Sequence, residues 1–465
     1  MLIRNADLYS AGLSDVRVAG TRIVALGRGL PTLPGEDVID ARGGALLPGL
    51  HDHHIHLVSL AAALNSVHCG PPHVHHADEL AATLAAEERR GGDWLRGVGY
   101  HESVAGEIDR HWLDRHIPSR PVRVQHRSGQ MWILNSCALE RIGANDPASP
   151  AERIGGVLTG RFFRSDDWLR SRLRGQFPDL ARVSALLASR GVTGVTETSA
   201  LNDTAQARFL QDAQMRGELK QKLMVMGTAS LDNWPQQGAC RRGPTKIHLN
   251  ETVLPDFDTL LTTIRRSHAA GRAIAVHCVT RTELTFVLAA IEEAVALPGD
   301  RIEHASVAPP EAVDKIAELG LTVVSQPNFL WERGDAYLTD VDPADRQWLY
   351  RGREFLDRGI PLAAGTDAPF GEPEPWRAMH AAVTRRTRAG VVIAAEEALN
   401  PEQALALYIS APENPGGPVR EVTVAAVADL CLLDRPLEHM RQDLASVAVR
   451  ATWRDGEIIW GTAEG

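Results

Sequence analysis

Eight short apolar runs, most of them followed by a helix-like stretch, constrain this chain more than any other feature. They are HHIHL (53–57), VTGVTET (192–198), KLMVMG (222–227), TKIHL (245–249), AIAVHC (273–278), RIEHA (301–305), TVVSQ (322–326) and PLAAGTD (361–367). Strands alternating with helices form βα units and hence a parallel sheet. Lys246 and His277 are 31 residues apart, His277 and His304 are 27 apart, and His304 and Asp367 are 63 apart, close to two units. A (β/α)8 barrel of about 250 residues averages about 31 residues per unit. The expected fold is therefore α/β, a (β/α)8 TIM barrel.

Two stretches fall outside this rhythm. From His56 to the second run is 136 residues, so roughly 60–180 is an insertion after the first strand, expected to cover the barrel mouth. It contains its own strand-like runs, WLRGVGY and PVRVQH. The two ends of the chain read as short β segments with Gly-rich or DG turns: LIRNADLYS, DVRVAG and TRIVALG at the start; ADLCLLD, SVAVRATWRDG and EIIWG at the end. Residues 1–47 plus 418–465 are expected to form one small domain, and 48–417 the barrel.

Composition narrows the function. The 59 acidic and 49 basic side chains leave a net charge of −10. That argues against nucleic acid or an anionic membrane, whose sites need clustered Lys and Arg. The N-terminus lacks the apolar core of a signal peptide, and no run approaches the ~20 apolar residues of a membrane span. Five cysteines without a CxxC pair exclude a disulfide framework or zinc ribbon. A cytoplasmic protein acting on a small molecule is expected, with a homodimer as the default assembly. Histidine is the outlier: 12 of 18 lie between His51 and His126, with HDHHIH at 51–56.

His54 and His56 are two apart, so on a strand they face the same side and can share a metal. Pro48-Gly49 turn the chain in before them, and Asp52 is placed to orient a ligand. Lys246, His277, His304 and Asp367 each end or interrupt a run that would otherwise be apolar. Residues at the C-terminal ends of barrel strands line the active-site mouth. Burying these groups together without partners is very costly, and a shared metal site removes that cost.

PGLHDHHIH followed by Lys246, His277, His304 and Asp367 resembles the metal-dependent amidohydrolase superfamily. SRPVRVQHRSGQMWILNSCALE (119–140), RIEHA…QPNF (301–329) and PLAAGTDAPFGEPEPWRAMHAAVTRRTRAG (361–390) are most similar to its branch of N-substituted formamide deformylases. The resemblance runs nearly the whole chain and implies that the small terminal domain is a β-sandwich. It implies two divalent metal ions, one held by His54, His56 and Asp367 and the other by His277 and His304. Lys246 matches the bridging lysine, which takes up CO2 to become a carbamate. Mixed His, carboxylate and carbamate ligands suit zinc best. The implied reaction is hydrolysis of a C–N bond in an amide, N-acyl or N-formyl compound by a metal-bridging hydroxide, with Asp367 as proton shuttle. Arg127 and Gln130 in the insertion are candidate substrate contacts, although related enzymes usually carry His at the position of Gln130. The ending HCVTRTE also departs from the HAIGD-like run of that branch.

Two other readings remain open at this level. A mononuclear aminohydrolase deaminating a heterocycle is disfavoured because such enzymes usually lack the lysine and carry Glu where this chain has Thr280. A non-catalytic metal-binding relative is disfavoured by the intact six-residue set. Among secondary candidates, Glu197 either contacts a ligand network or is a satisfied structural carboxylate. Trp331 and Arg333 follow the seventh strand, where QPNFLWERGDAY forms either substrate contacts or an ordered loop. His73, His75 and His76 read as a solvated loop, RRTR (385–388) as a solvated helix face, and Cys278 as a core residue pointing away from the metal.

Overall fold

The computed structural model describes residues 1–461 except Ser10, Pro72, 91–92 and 174–176, so the end of the expected 418–465 segment lies outside the described residues. The chain forms two compact units, Met1–Leu57 with Leu180–Gly465, and Val58–Asp179.

The larger unit contains the barrel, eight strands each parallel to the next: Leu50–Ile55, Val192–Glu197, Lys222–Gly227, Cys240–His248, Ile274–Cys278, Arg301–His304, Thr322–Ser325 and Leu362–Ala364. At the ends of the first and last strands, the Asp367 amide donates to the His54 carbonyl (2.8 Å) and the His56 amide to the Ala368 carbonyl (2.9 Å), bringing the two strands together. Gly365 permits this approach, because a Cβ there would lie 2.3 Å from the His54 nitrogen. The first strand starts at Leu50, earlier than the expected 53–57, and ends at Ile55. The chain turns there because the Leu57 amide donates to the Glu197 carboxylate and a helix, Leu57–Leu64, begins.

Two four-stranded sheets from the chain ends accompany the barrel. One is ordered Arg22–Gly27, Gly12–Ala19, Leu2–Leu8, Val38–Asp40; the other Glu457–Trp460, Val449–Arg454, Leu430–Leu433, Leu46–Pro48. Their inward residues, including Ile3, Val16, Ile23, Leu46, Leu430, Leu432 and Trp453, form one apolar cluster. Such alternation of inward and outward residues is what packs two sheets face to face.

Two expectations change in this unit. QPNFLWERGDAY is not a loop: Asn328–Asp340 is a helix that buries Asn328, Phe329, Leu330 and Gly334. Nor is RRTR a solvated helix face. It follows the helix Pro375–Thr384, and Arg385 adopts a left-handed conformation that turns the chain inward. There its buried guanidinium donates to the carbonyls of Leu349, Tyr350 and Ile393.

The second unit is built on a five-stranded sheet ordered Arg161–Phe163, Met131–Leu134, Val122–His126, Leu95–Tyr100, Val67–His68. Asn135 fastens it. Its side chain accepts from the amides of Val122 and Ala138 and donates to the carbonyls of Ile117 and Arg120, at 2.8–3.0 Å. Asn135→Ala strands four backbone groups in a fully buried place and should cost about 2–4 kcal/mol, read as an earlier urea transition. A change below about 0.5 kcal/mol would show that these groups find other partners. Among the described residues no helix is long and apolar enough to cross a membrane.

Candidate metal centre

His54, His56 and Asp367 meet because the ends of the first and eighth barrel strands meet. His54 Nε2 and His56 Nε2 lie 3.4 and 3.1 Å from Asp367 Oδ1. Among the described residues this is the one group of three or more such side chains whose donor atoms all fall within 4.8 Å of one another. Each imidazole also has an outer partner. His54 Nδ1 is bonded to Glu303 Oε2, and His56 Nδ1 lies 2.9 Å from Ser199 Oγ. Partners of this kind fix the ring orientation and tautomer of a metal-ligating histidine.

Asp52 ties the backbone beside these candidate ligands together. It accepts from the His54 amide (3.1 Å), the Thr366 amide (3.1 Å) and the Thr366 hydroxyl (2.6 Å), tying the residues beside both ligand-bearing segments together. Burial raises its carboxyl pKa to about 7 despite these bonds.

His304 and His277 lie beside this group, and Lys246 faces Glu303, the partner of His54. The His304 ring centroid lies 4.8 Å from that of His54 and 4.4 Å from that of His277. His304 reaches this position by breaking strand alternation. Glu303 pairs in register with His277, and His304 with Cys278, so a regular strand would send His304 to Cys278's side. Left-handed backbone at His304 (φ 71°) and Ala305 (φ 47°) accompanies the ring's position beside His277. Cys278 remains buried, its thiol pKa pushed well up by burial.

Lys246 is buried, its amine 3.9 Å from Glu303 Oε2 and without a hydrogen bond. Burial lowers its pKa to about 8, against the pull of the Glu303 carboxylate. Burial also holds His54 and His304 well below the usual imidazole range and takes His277 to about 3. These rings are therefore neutral, the form that offers a lone pair to a metal. His248, two residues beyond Lys246, is exposed, with its ring 4.3 Å from that of His277.

Glu303 and Ser199, the outer partners of His54 and His56, are absent from the candidates read from the sequence. Glu303 also accepts from Arg301 Nε, so one buried carboxylate serves His54 and Arg301 and faces Lys246. The i, i+2 spacing of Arg301 and Glu303 was a legible sign that both share one face of the strand.

The remaining candidates of the larger unit are engaged by other partners. Glu197 is fully buried and accepts from the amides of Leu57 and Ser199 and from Asn202 Nδ2, matching the satisfied-carboxylate alternative. Arg333 donates to the Phe370 carbonyl (2.7 Å) and covers the Phe329 ring. Trp331 is half-buried with the Arg377 guanidinium 5.5 Å from its ring centroid. Arg127 and Gln130 are exposed residues of the Val58–Asp179 unit, where Gln130 Oε1 accepts from Arg164. His76 in the same unit is 63% exposed beside Glu79.

An N-substituted formamide deformylase of Arthrobacter pascens is 26% identical over 98% of this chain and 96% of its own length. The protein LONG AFTER FAR-RED 3 of Arabidopsis thaliana is 22% identical over 83% of this chain and 78% of its own. Among solved structures, an uncharacterized metal-dependent hydrolase from Pyrococcus furiosus shares the fold with a TM-score of 0.77 at 21% identity, covering 93% of this chain and 98% of its own. Atrazine chlorohydrolase TrzN of Arthrobacter aurescens, solved with zinc, shares it at a TM-score of 0.56 and 14% identity, covering 99% and 95% of the two chains. The amidohydrolase family pattern itself matches from residue 37 to residue 460, taking in every residue of the histidine, lysine and aspartate cluster, and the chain belongs to that family.

Proposed function

We propose that this protein is a binuclear metal-dependent hydrolase that cleaves a C–N bond in an amide, N-acyl or N-formyl compound. The observation that carries this reading is a set of buried polar atoms without hydrogen-bond partners: both ring nitrogens of His304, the Lys246 amine and Asp367 Oδ1. Buried polar groups are nearly always satisfied, and four orphans in one place are costly unless they are ligands. His54, His56 and Asp367 would hold one divalent cation and His277 and His304 another. Lys246 would bridge them as a carbamate, formed when its neutral amine adds CO2 and releases a proton. This donor set suits zinc. When bound, such cations polarise a carbonyl group and make water acidic enough to ionise near neutral pH.

The chain's own groups supply the rest. Asp367 takes a proton from the attacking water and delivers it to the departing nitrogen. Glu303 and Ser199 keep His54 and His56 in place while it does so. Thr280, where a deaminase of this superfamily would carry Glu, instead caps the helix Arg281–Ala294 by accepting from the Glu283 amide (3.2 Å). That favours hydrolysis of an acyclic C–N bond over deamination of a ring.

Elemental analysis of the full chain tests the proposal. Wild type should carry two metals, and Lys246→Ala one or none, with hydrolysis of N-formyl and N-acyl amines lost in parallel. One metal in both proteins would point to a mononuclear site, and none in either to a non-catalytic relative.

A further inference from the structure

The turn after Asp367 places an aromatic ring in solvent directly beside the candidate metal ligands. Phe370 is 56% exposed, and its ring meets that of His56 edge-on, with centroids 5.3 Å apart at 87°. The turn is held from several sides. The amides of Phe370 and Gly371 donate to the Asp367 carbonyl at 2.8 and 3.2 Å. Arg333 donates to the Phe370 carbonyl, and the Glu372 amide donates to Glu332 Oε1 (3.0 Å). Gly371 packs so closely that a Cβ there would lie 2.3 Å from Asn328 Nδ2 and 2.4 Å from the Thr366 carbonyl oxygen. The turn therefore has no room to move inward and draw Phe370 into the core.

We infer that Phe370 determines specificity for the amine half of the substrate, receiving an apolar and preferably flat N-substituent. The inference rests on the C–N hydrolase reading above. In that reaction water adds its oxygen to the carbonyl carbon and the C–N bond breaks. The nitrogen gains a proton from Asp367, leaving a carboxylic acid and an amine. The nitrogen must come within reach of Asp367, and whatever it carries then lies against the turn on which Asp367 stands. Phe370 is the exposed apolar side chain of that turn. A ring there gains by covering another apolar surface, stacking offset or edge-to-face with an aromatic one, and offers nothing to a charged substituent. Arg333, a candidate for substrate binding from sequence, holds the ring's platform through its bond to the Phe370 carbonyl.

The test compares metal-loaded wild type, Phe370→Ala and Phe370→Leu on two amides, N-phenethylformamide and N-methylformamide. Both kcat/KM and calorimetric Kd are measured for each. The preference for the phenethyl compound, taken as a ratio, should fall about tenfold or more in Phe370→Ala and by less in Phe370→Leu, the size usual for removing one apolar contact. Turnover with an unchanged ratio would overturn the role of Phe370 and leave the hydrolase reading standing. Selective binding that depends on Phe370 without turnover would uphold this inference and overturn the hydrolase reading. Neither binding nor turnover would overturn both.

Discussion

Asp367→Asn should lower kcat for amide hydrolysis by about a thousandfold, toward the upper end of what a positioned general acid–base contributes, while most of the metal stays bound. Asparagine preserves the size of the side chain and a carbonyl oxygen near His54 Nε2 and His56 Nε2, so the ligand cluster keeps its shape. It has no carboxylate to take a proton from water or return one to the leaving nitrogen. Metal content measured beside kcat separates the two roles. A rate within a few-fold of wild type at full metal occupancy would refute the proton-shuttle assignment. Loss of metal and activity together would reassign Asp367 to ligation alone.

Glu303→Ala should weaken metal binding about 10- to 100-fold and destabilise the metal-free protein by about 3–5 kcal/mol. Two separate consequences follow from one carboxylate. His54 loses the partner on Nδ1 that fixes its ring, and the guanidinium of Arg301, 1% exposed, loses its paired carboxylate. Burial alone would raise the pKa of Glu303, yet the charges of Arg301 and Lys246 hold it below the usual carboxylate range, so the negative form is the one present in the fold. Glu303→Gln keeps the shape and removes the charge, and should fall between wild type and Ala on both measures. Chelator competition reads the first effect and denaturation of the metal-free chain the second. If Glu303→Ala binds metal as tightly as wild type, Glu303 is a core ion-pair residue and does not orient His54.

Much of the barrel was legible because its signal is local and repeated. Each strand is a short apolar run, and the spacing of its polar end residues follows the βα repeat. The segments that misled did so where a local pattern was overruled by distant partners. RRTR has the look of a solvated surface, yet three carbonyls from 349, 350 and 393 draw Arg385 into the core. QPNFLWERGDAY lacks a strong stripe, yet burial of Phe329 and Leu330 makes it a helix. In the candidate site, His54, His56, Lys246, His277, His304 and Asp367 could be nominated from residue type and place on a strand. Glu303 and Ser199 were hidden because their importance lies in the atoms they touch 249 and 143 residues away in the chain.

Element order, the parallel α/β class and the family can be read along the chain, because periodicity, spacing and motif are properties of neighbouring residues. How the nominated residues meet depends on the folded barrel. Bonds between the ends of the first and eighth strands carry Asp367 to His54 and His56, Gly365 allows that approach, and left-handed backbone at His304 accompanies a ring placed against strand alternation. Each of these depends on contacts between segments far apart in sequence, and such contacts form only when the whole barrel does.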